Sequence, residues 1–339
     1  MTKVNSSDTT ERELDLLVVG DANPDLILYG GEIEPAFGQR ERIVGEAALV
    51  LGGSGSITAA GAARLGLRTA IVSCVGDDTF GRFTLDQLAA RGVGTGAVRV
   101  LDELPTAVSV ALARPHDRAV LTALGTLGAM SECAVPDTLL HRTRHVHIAS
   151  PFLQPQLGDG LAALVNRAHA AGATVSLDTG WDPEDRWASV AEALSLVDLL
   201  LPNAQESVRL ARVVDGPGSA SPSSGSAGPV TPDESREAAL RLAAGGPLVA
   251  VKLGAHGAVA VRDGVVVHVD APKVHTVDAT GAGDSFDAGF LLGWLGGADL
   301  AHSLALGCAC GALSTRSAGG TAGQPTRGEA EKMAGAVTA

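Results

Sequence analysis

Five apolar runs, Ala70–Val75, His145–Ser150, Thr174–Asp178, Leu196–Leu201 and Leu248–Lys252, recur along the sequence, each bounded by a helical or turn-like segment. Short apolar runs alternating with helices are the pattern of parallel strands covered on both faces. The chain is therefore predicted to be an α/β fold, a doubly wound, mostly parallel sheet with helices on both faces. Two stretches break the rhythm: Leu26–Val50, and Val98–Leu124 with its run Thr106–Leu112, have strand character without intervening helices. They suit a small β-strand lid, placed at about residues 25–50 and 98–124, over the strand ends where such sheets bind ligands.

The 339 residues fit one large α/β unit, taken as residues 14–339 after a flexible, polar N-terminal segment of residues 1–13. That segment has no apolar core behind a basic region, so the expected location is cytoplasmic. The stretch Asp215–Ser235 is dominated by Gly, Pro, Ser and Ala and buries too little apolar surface to offset ordering entropy. It is predicted to be a mobile loop interrupting one domain, with a helix resuming over Glu234–Ala244. A formal net charge of −13 with only four lysines argues against a nucleic-acid partner or an anionic membrane surface. Anionic ligands must then be held locally. The apolar stretch Ala288–Ser314, interrupted by Asp299 and His302 and broken at Gly296-Gly297, reads as two buried helices rather than a membrane span. Cys74, Cys133, Cys308 and Cys310 are too sparse for a disulfide framework and read as reduced core residues. His145 and His147 fall on one face of a strand without a completing ligand and read as structural.

Chemistry concentrates in Val277-Asp278-Ala279-Thr280-Gly281-Ala282-Gly283-Asp284-Ser285-Phe286. Phe286, Phe290, Leu291, Trp294 and Leu295 recur at helical spacing, which puts Asp284 in the first turn of a helix entered through Gly281 and Gly283. The first amides of a helix lack intrahelical partners and sit at the positive end of its dipole, so bare glycines there give an anion access. A carboxylate beside an anion hole is a candidate base, and phosphoryl transfer needs little more: donors around the moving charge and an acceptor for the hydroxyl proton. The plainer reading is a strand-to-helix turn with an acid at the helix start.

Asp278–Phe286 resembles the C-terminal signature of the ribokinase-like sugar kinases, the phosphofructokinase B group, and four further segments agree with that family in type and order between Leu14 and Thr326. The resemblance implies an ATP-dependent carbohydrate kinase that uses Mg2+ and K+. It makes Asp284 the base, with Gly281, Ala282 and Gly283 donating amides to the phosphoryl group. In Asp21-Ala22-Asn23-Pro24-Asp25, it assigns Asp21, Asn23 and Asp25 to the substrate hydroxyls; Gly52 and Gly53 let backbone approach the sugar, and Ile57 falls in the same pocket. Asn203 and Glu206 would organise magnesium and phosphates through water, although the pair also fits a helix capping box. Lys252, Gly254 and Gly257 would lie beside the nucleotide with Gly281 and Gly283, while Asp278 and Thr280 would hold a monovalent cation, closed by carbonyls around Ser314–Gly320.

Some positions depart from the family. Ser54 stands where ribokinases carry lysine, Ile57 where many sugar kinases carry asparagine, and Ala149 where ribokinases carry glutamate. The expectation is a less polar pocket, poor use of ribose, and a nucleoside, a deoxy sugar or another sugar-like acceptor. Other classes lack their motifs: no third glycine for a dinucleotide turn, no Gly-Lys-Ser/Thr, no Gly-x-Ser-x-Gly. The alternatives are a nucleoside kinase of the same family and a catalytically silent sugar- or nucleotide-binding sensor; exposed lid strands offer edges for a homodimer.

Overall fold

Leu16, Leu17, Val18 and Val19 are all fully buried, because their strand lies inside a sheet with helices against both faces. The computed structural model describes residues 12–114, 117–216 and 230–337. Its strands are β1 (Leu14–Val19), β2 (Asn23–Gly31), β3 (Val44–Gly52), β4 (Thr69–Gly76), β5 (Gly94–Leu101), β6 (Val108–Arg114), β7 (Asp117–Ala123), β8 (Thr143–Ala149), β9 (Thr174–Asp178), β10 (Leu199–Leu200), β11 (Leu248–Lys252), β12 (Ala258–Arg262) and β13 (Val265–Val269). Nine of them form one sheet in the order β13-β12-β11-β10-β9-β8-β1-β4-β5, and every pairing is parallel except those of β11 with β12 and β12 with β13. Alternate residues of β1 feed two cores: Leu17 and Val19 face one, while Leu16 and Val18 pack with Phe286, Phe290 and Leu291 on the other.

β2, β3, β6 and β7 form a separate sheet, order β3-β2-β6-β7, in which β2 and β6 run parallel. The expected strand segment 98–124 divides between the two sheets. Residues up to Leu101 belong to β5, paired with β4 at the edge of the large sheet, because Ala97 and Val98 pack against opposite cores. The chain leaves for the second sheet only after that.

The expected strand at Leu196–Leu201 shortens to Leu199–Leu200. The helix expected from Glu234 begins at Pro232, where Thr231 and Glu234 close a capping box. Residues 1–11, and residues 217–229 of the expected mobile loop, lie outside the described residues. The apolar C-terminal stretch forms two buried helices, Ala282–Leu295 and Leu300–Ser314. Among the described residues no helix is long and apolar enough to cross a membrane. Cys74, Cys308 and Cys310 are buried, but Cys133 is exposed in the short turn Glu132–Ala134, a correction to its reading as a core residue. His145 and His147 are buried and bonded to Ser176, with His145 edge-on to Trp294.

Candidate active site

The C-terminal ends of β1, β9 and β11 bring Asp21, Asp178 and Lys252 to the same end of the sheet, where the helix Ala282–Leu295 starts. Gly281 caps that helix in the left-handed region, at φ 70°. A Cβ there would lie 2.7 Å from the Gly320 Cα and 3.0 Å from the Ile57 Cγ2, so glycine is required both by conformation and by space. The loop is tied from behind: Asp278 accepts from the Thr280 amide (2.9 Å), the Thr280 hydroxyl (2.7 Å) and the Gly319 amide (2.8 Å). The amides of Val277 and Asp278 donate to the Thr315 carbonyl. The two segments expected to share a monovalent cation thus lie together, tied by the Asp278 carboxylate and the Thr315 carbonyl.

Asp284 follows in the first helical turn. Its carboxyl is pushed up to about 7, first by burial and then by the charge of Asp178, with Asp21 adding; Lys252 and a hydrogen bond from Ser54 oppose this. Ser54 is placed there by Asp21, whose two oxygens accept from the Ser54 and Gly55 amides at 3.0 and 2.8 Å and fix the start of the helix Ser54–Arg64. Burial pushes Asp21 itself up to about 6. Asp21, expected to grip substrate hydroxyls, uses its carboxylate to anchor a helix start.

Asn23 and Asp25 stand where β2 meets β3. The Asn23 Nδ2 donates to Asp25 Oδ1 at 3.1 Å, and the Asp25 carboxylate lies against the bare Cα of Gly52, where an added Cβ would come within 2.1 Å. At Gly53, φ 82°, the same addition would meet Asn23 Oδ1 at 2.8 Å. Both glycines make room for these two polar side chains.

Ile57 does not line a pocket. It is buried against Gly281 and Gly320, and its carbonyl accepts from Gln324 Nε2 at 2.9 Å, so it supports the loop from below. Ala149 is likewise fully buried. Of the three departures from which a less polar pocket was expected, Ser54 reaches Asp284, while the side chains of Ile57 and Ala149 are buried.

Asn203 and Glu206 form the capping box of the helix Ala204–Asp215: Asn203 Oδ1 accepts from the Glu206 amide at 3.0 Å while the carboxylate accepts from the Asn203 amide at 2.8 Å. Burial first, then Asp178, pushes Glu206 up to about 7, so the cap also belongs electrostatically to the site. Gly254 starts a short turn at φ 59°, and Gly257, at φ 83°, sits where a Cβ would strike the Val269 carbonyl at 1.9 Å. Its need for glycine is a backbone crossing.

One cluster was not expected. Lys252 Nζ donates to Asp178 Oδ2 at 2.7 Å and to both Asp287 oxygens at 3.1 Å. Burial would lower the lysine, but Asp178, Asp287 and Glu206 hold it above its usual range. Burial would also raise Asp178, yet Lys252 and the hydrogen bonds from Asp287, Lys252 and Gly180 hold it below the carboxylate range. Asp287, fully buried, is raised well above that range by burial despite the lysine. The signal in the sequence was a single acid, Asp287, in the otherwise apolar stretch Ser285–Leu295, facing one of only four lysines.

The sequence profile of the pfkB family carbohydrate kinases matches residues 13–327. The chain is 32% identical over 268 residues to an ATP-dependent ribose-1-phosphate kinase of Halopiger xanaduensis, covering 78% of this chain and 79% of the other. It is 27% identical over 320 residues to a ribokinase of Haemophilus influenzae, covering 93% and 96%. Its fold is similar to that of an E. coli protein of the ribokinase II type solved in complex with ATP and Mg2+, with a TM-score of 0.77, 25% identity and coverage of 94% and 98%.

Proposed function

Because this chain belongs to the pfkB family of carbohydrate kinases, and is thus an ATP-dependent sugar kinase, we propose the following division of labour among its residues. Asn23 and Asp25 hold hydroxyls of a sugar or sugar-like acceptor so that one alcohol faces Asp284. As that oxygen bonds to the γ-phosphorus and the bond to the β-phosphate oxygen breaks, Asp284 takes the hydroxyl proton and ADP departs. Gly281, Ala282 and Gly283 present amides at the positive end of the helix to the phosphoryl oxygens in flight. Asn203 and Glu206 would hold a nucleotide-bound magnesium through water, which would supply charge neutralisation to the phosphates. Asp278 and Thr280 would hold potassium, and the second sheet, carrying Asn23 and Asp25 on β2, acts as the lid that covers the acceptor.

The observation that carries this reading is the placement of Asp284: a carboxylate in the first turn of a helix, beside a bare glycine loop, raised to about 7 and so able to take up a proton near neutral pH. An ADP-release assay with Mg2+ and K+ across pentoses, pentose 1-phosphates, hexoses, keto-deoxy acids and nucleosides tests it. Acceptor-dependent ADP formation, abolished in Asp284→Asn, is the expected result. No stimulation by any acceptor, with ATP still bound, would replace the kinase reading with a binding protein.

A further inference from the structure

Lys252 was expected beside the nucleotide, but its ammonium is engaged inside the protein, donating to Asp178 and to both oxygens of Asp287. Three observations tie this arrangement to Asp284. Asp287 is three residues further along the same helix, on the same face. Asp178, Asp284 and Asp287 each bring an oxygen within 4.8 Å of the others. A Cβ added to Gly283 would find Lys252 Nζ as its nearest heavy atom, at 3.5 Å, so the ammonium lies directly behind the anion loop. The groups that face Asp284 are Asp178 from β9, Asp21 after β1, Ser54 at its helix start, Glu206 from the capping box, Asp287 on its own helix, and Lys252 from β11. Among these Lys252 is the one cation.

We propose that Lys252 is a positioning residue for phosphoryl transfer: clamped by Asp178 and Asp287, its ammonium allows Asp284 to carry a negative charge near neutral pH and so keeps the base available. The proposal rests on Asp284 being the base. Electrostatics gives the sign. A cation behind Asp284 favours the ionised carboxylate, whereas the Asp178 charge opposes it.

The test is the acid limb of kcat/KM against pH. Lys252→Met should move that limb to higher pH by about one unit or more, giving roughly tenfold lower kcat/KM at pH 7 but convergence with the parent enzyme at high pH. Asp178→Asn should move it to lower pH, and the double variant, which removes both charges, should bring it back toward the parent. If Lys252→Met does not fold, Asp178→Asn against the double variant still isolates the lysine charge. Lys252→Arg should restore the limb even where kcat is reduced. A limb at the same pH in all folded variants, or a uniform loss of activity at every pH, would overturn the proposal. Carboxyl 13C NMR titration of Asp284, assigned with Asp284→Asn, reads the same shift without turnover. A carboxyl that moves as expected in a protein with no acceptor-dependent activity would leave the Lys252 effect standing and sink only the kinase reading.

Discussion

Asp284→Asn should separate catalysis from stability. The substitution keeps the shape of the side chain and removes its charge. Turnover should fall by about a hundredfold or more, with nucleotide affinity within a few-fold, because the proton acceptor acts mainly in the transition state. At alkaline pH the same variant should be more stable than the parent. Raising a carboxyl from 3.8 to about 7 corresponds to about 4 kcal/mol at 1.36 kcal/mol per pH unit. Partial exposure of Asp284 and titration of its neighbours reduce this to about 1–2 kcal/mol. For a chain of this length, at about 2.1 cal/mol/K per residue, that is a rise of about 1–3 °C in the thermal midpoint. The sign follows from linkage: the folded state holds this proton more tightly than the unfolded chain, so the contribution is fully present below about 4, is lost as the pH rises toward 7, and is gone above about 7. The gain should be present at pH 8 and shrink toward zero as the pH approaches 4. Groups common to both proteins, such as the buried His145 and His147, cancel in the comparison. Scanning calorimetry of both proteins at pH 8 and pH 4.5, beside ADP-release assays, measures the two effects. A variant less stable than the parent at pH 8, or one with near-normal turnover, would refute the reasoning.

Gly281→Ala should cost about 1–3 kcal/mol in denaturant unfolding and remove most activity, because it adds a Cβ at positive φ within 2.7 Å of Gly320; an unchanged midpoint would show that the loop can yield. Asp21→Ala should lower stability by about 1–2 kcal/mol through loss of a helix cap and depress turnover through displacement of Ser54, with Asp21→Asn recovering part of both. Replacing potassium by a bulky organic cation at constant ionic strength should lower activity if Asp278 and Thr280 hold the ion, and equal rates in the two buffers would count against that assignment.

The anion loop was legible because its parts are contiguous: two glycines, an acid and a helix start occupy neighbouring positions, and local geometry then follows from sequence. Asn203 and Glu206 were legible as a capping box, which is read from spacing alone, but not in their placement against Asp178. The Lys252 cluster was out of reach as a unit, because it joins the ends of two strands to one helix face across 109 residues of chain from Asp178 to Asp287. Each residue alone had an ordinary explanation. Ile57 shows the opposite error: ungapped comparison assigned it a pocket, whereas the helix Ser54–Arg64 turns it under Gly281. Strand patterns located the sheet but not its membership, and β5 went to the edge of the large sheet because pairing with β4 is a long-range matter of packing.

Gln324 joins parts of the chain made at very different times. Its amide donates to the Ile57 carbonyl and to Ser285 Oγ, while its own carbonyl accepts from Arg64, so a late segment fastens an early helix to the helix that carries Asp284. All the strands of both sheets precede it, β13 ending at Val269. During synthesis the sheet can therefore assemble around an anion loop that still lacks Gly319, Gly320 and Gln324 behind it. The residues that close the back of the anion loop are thus the last of the site to be made.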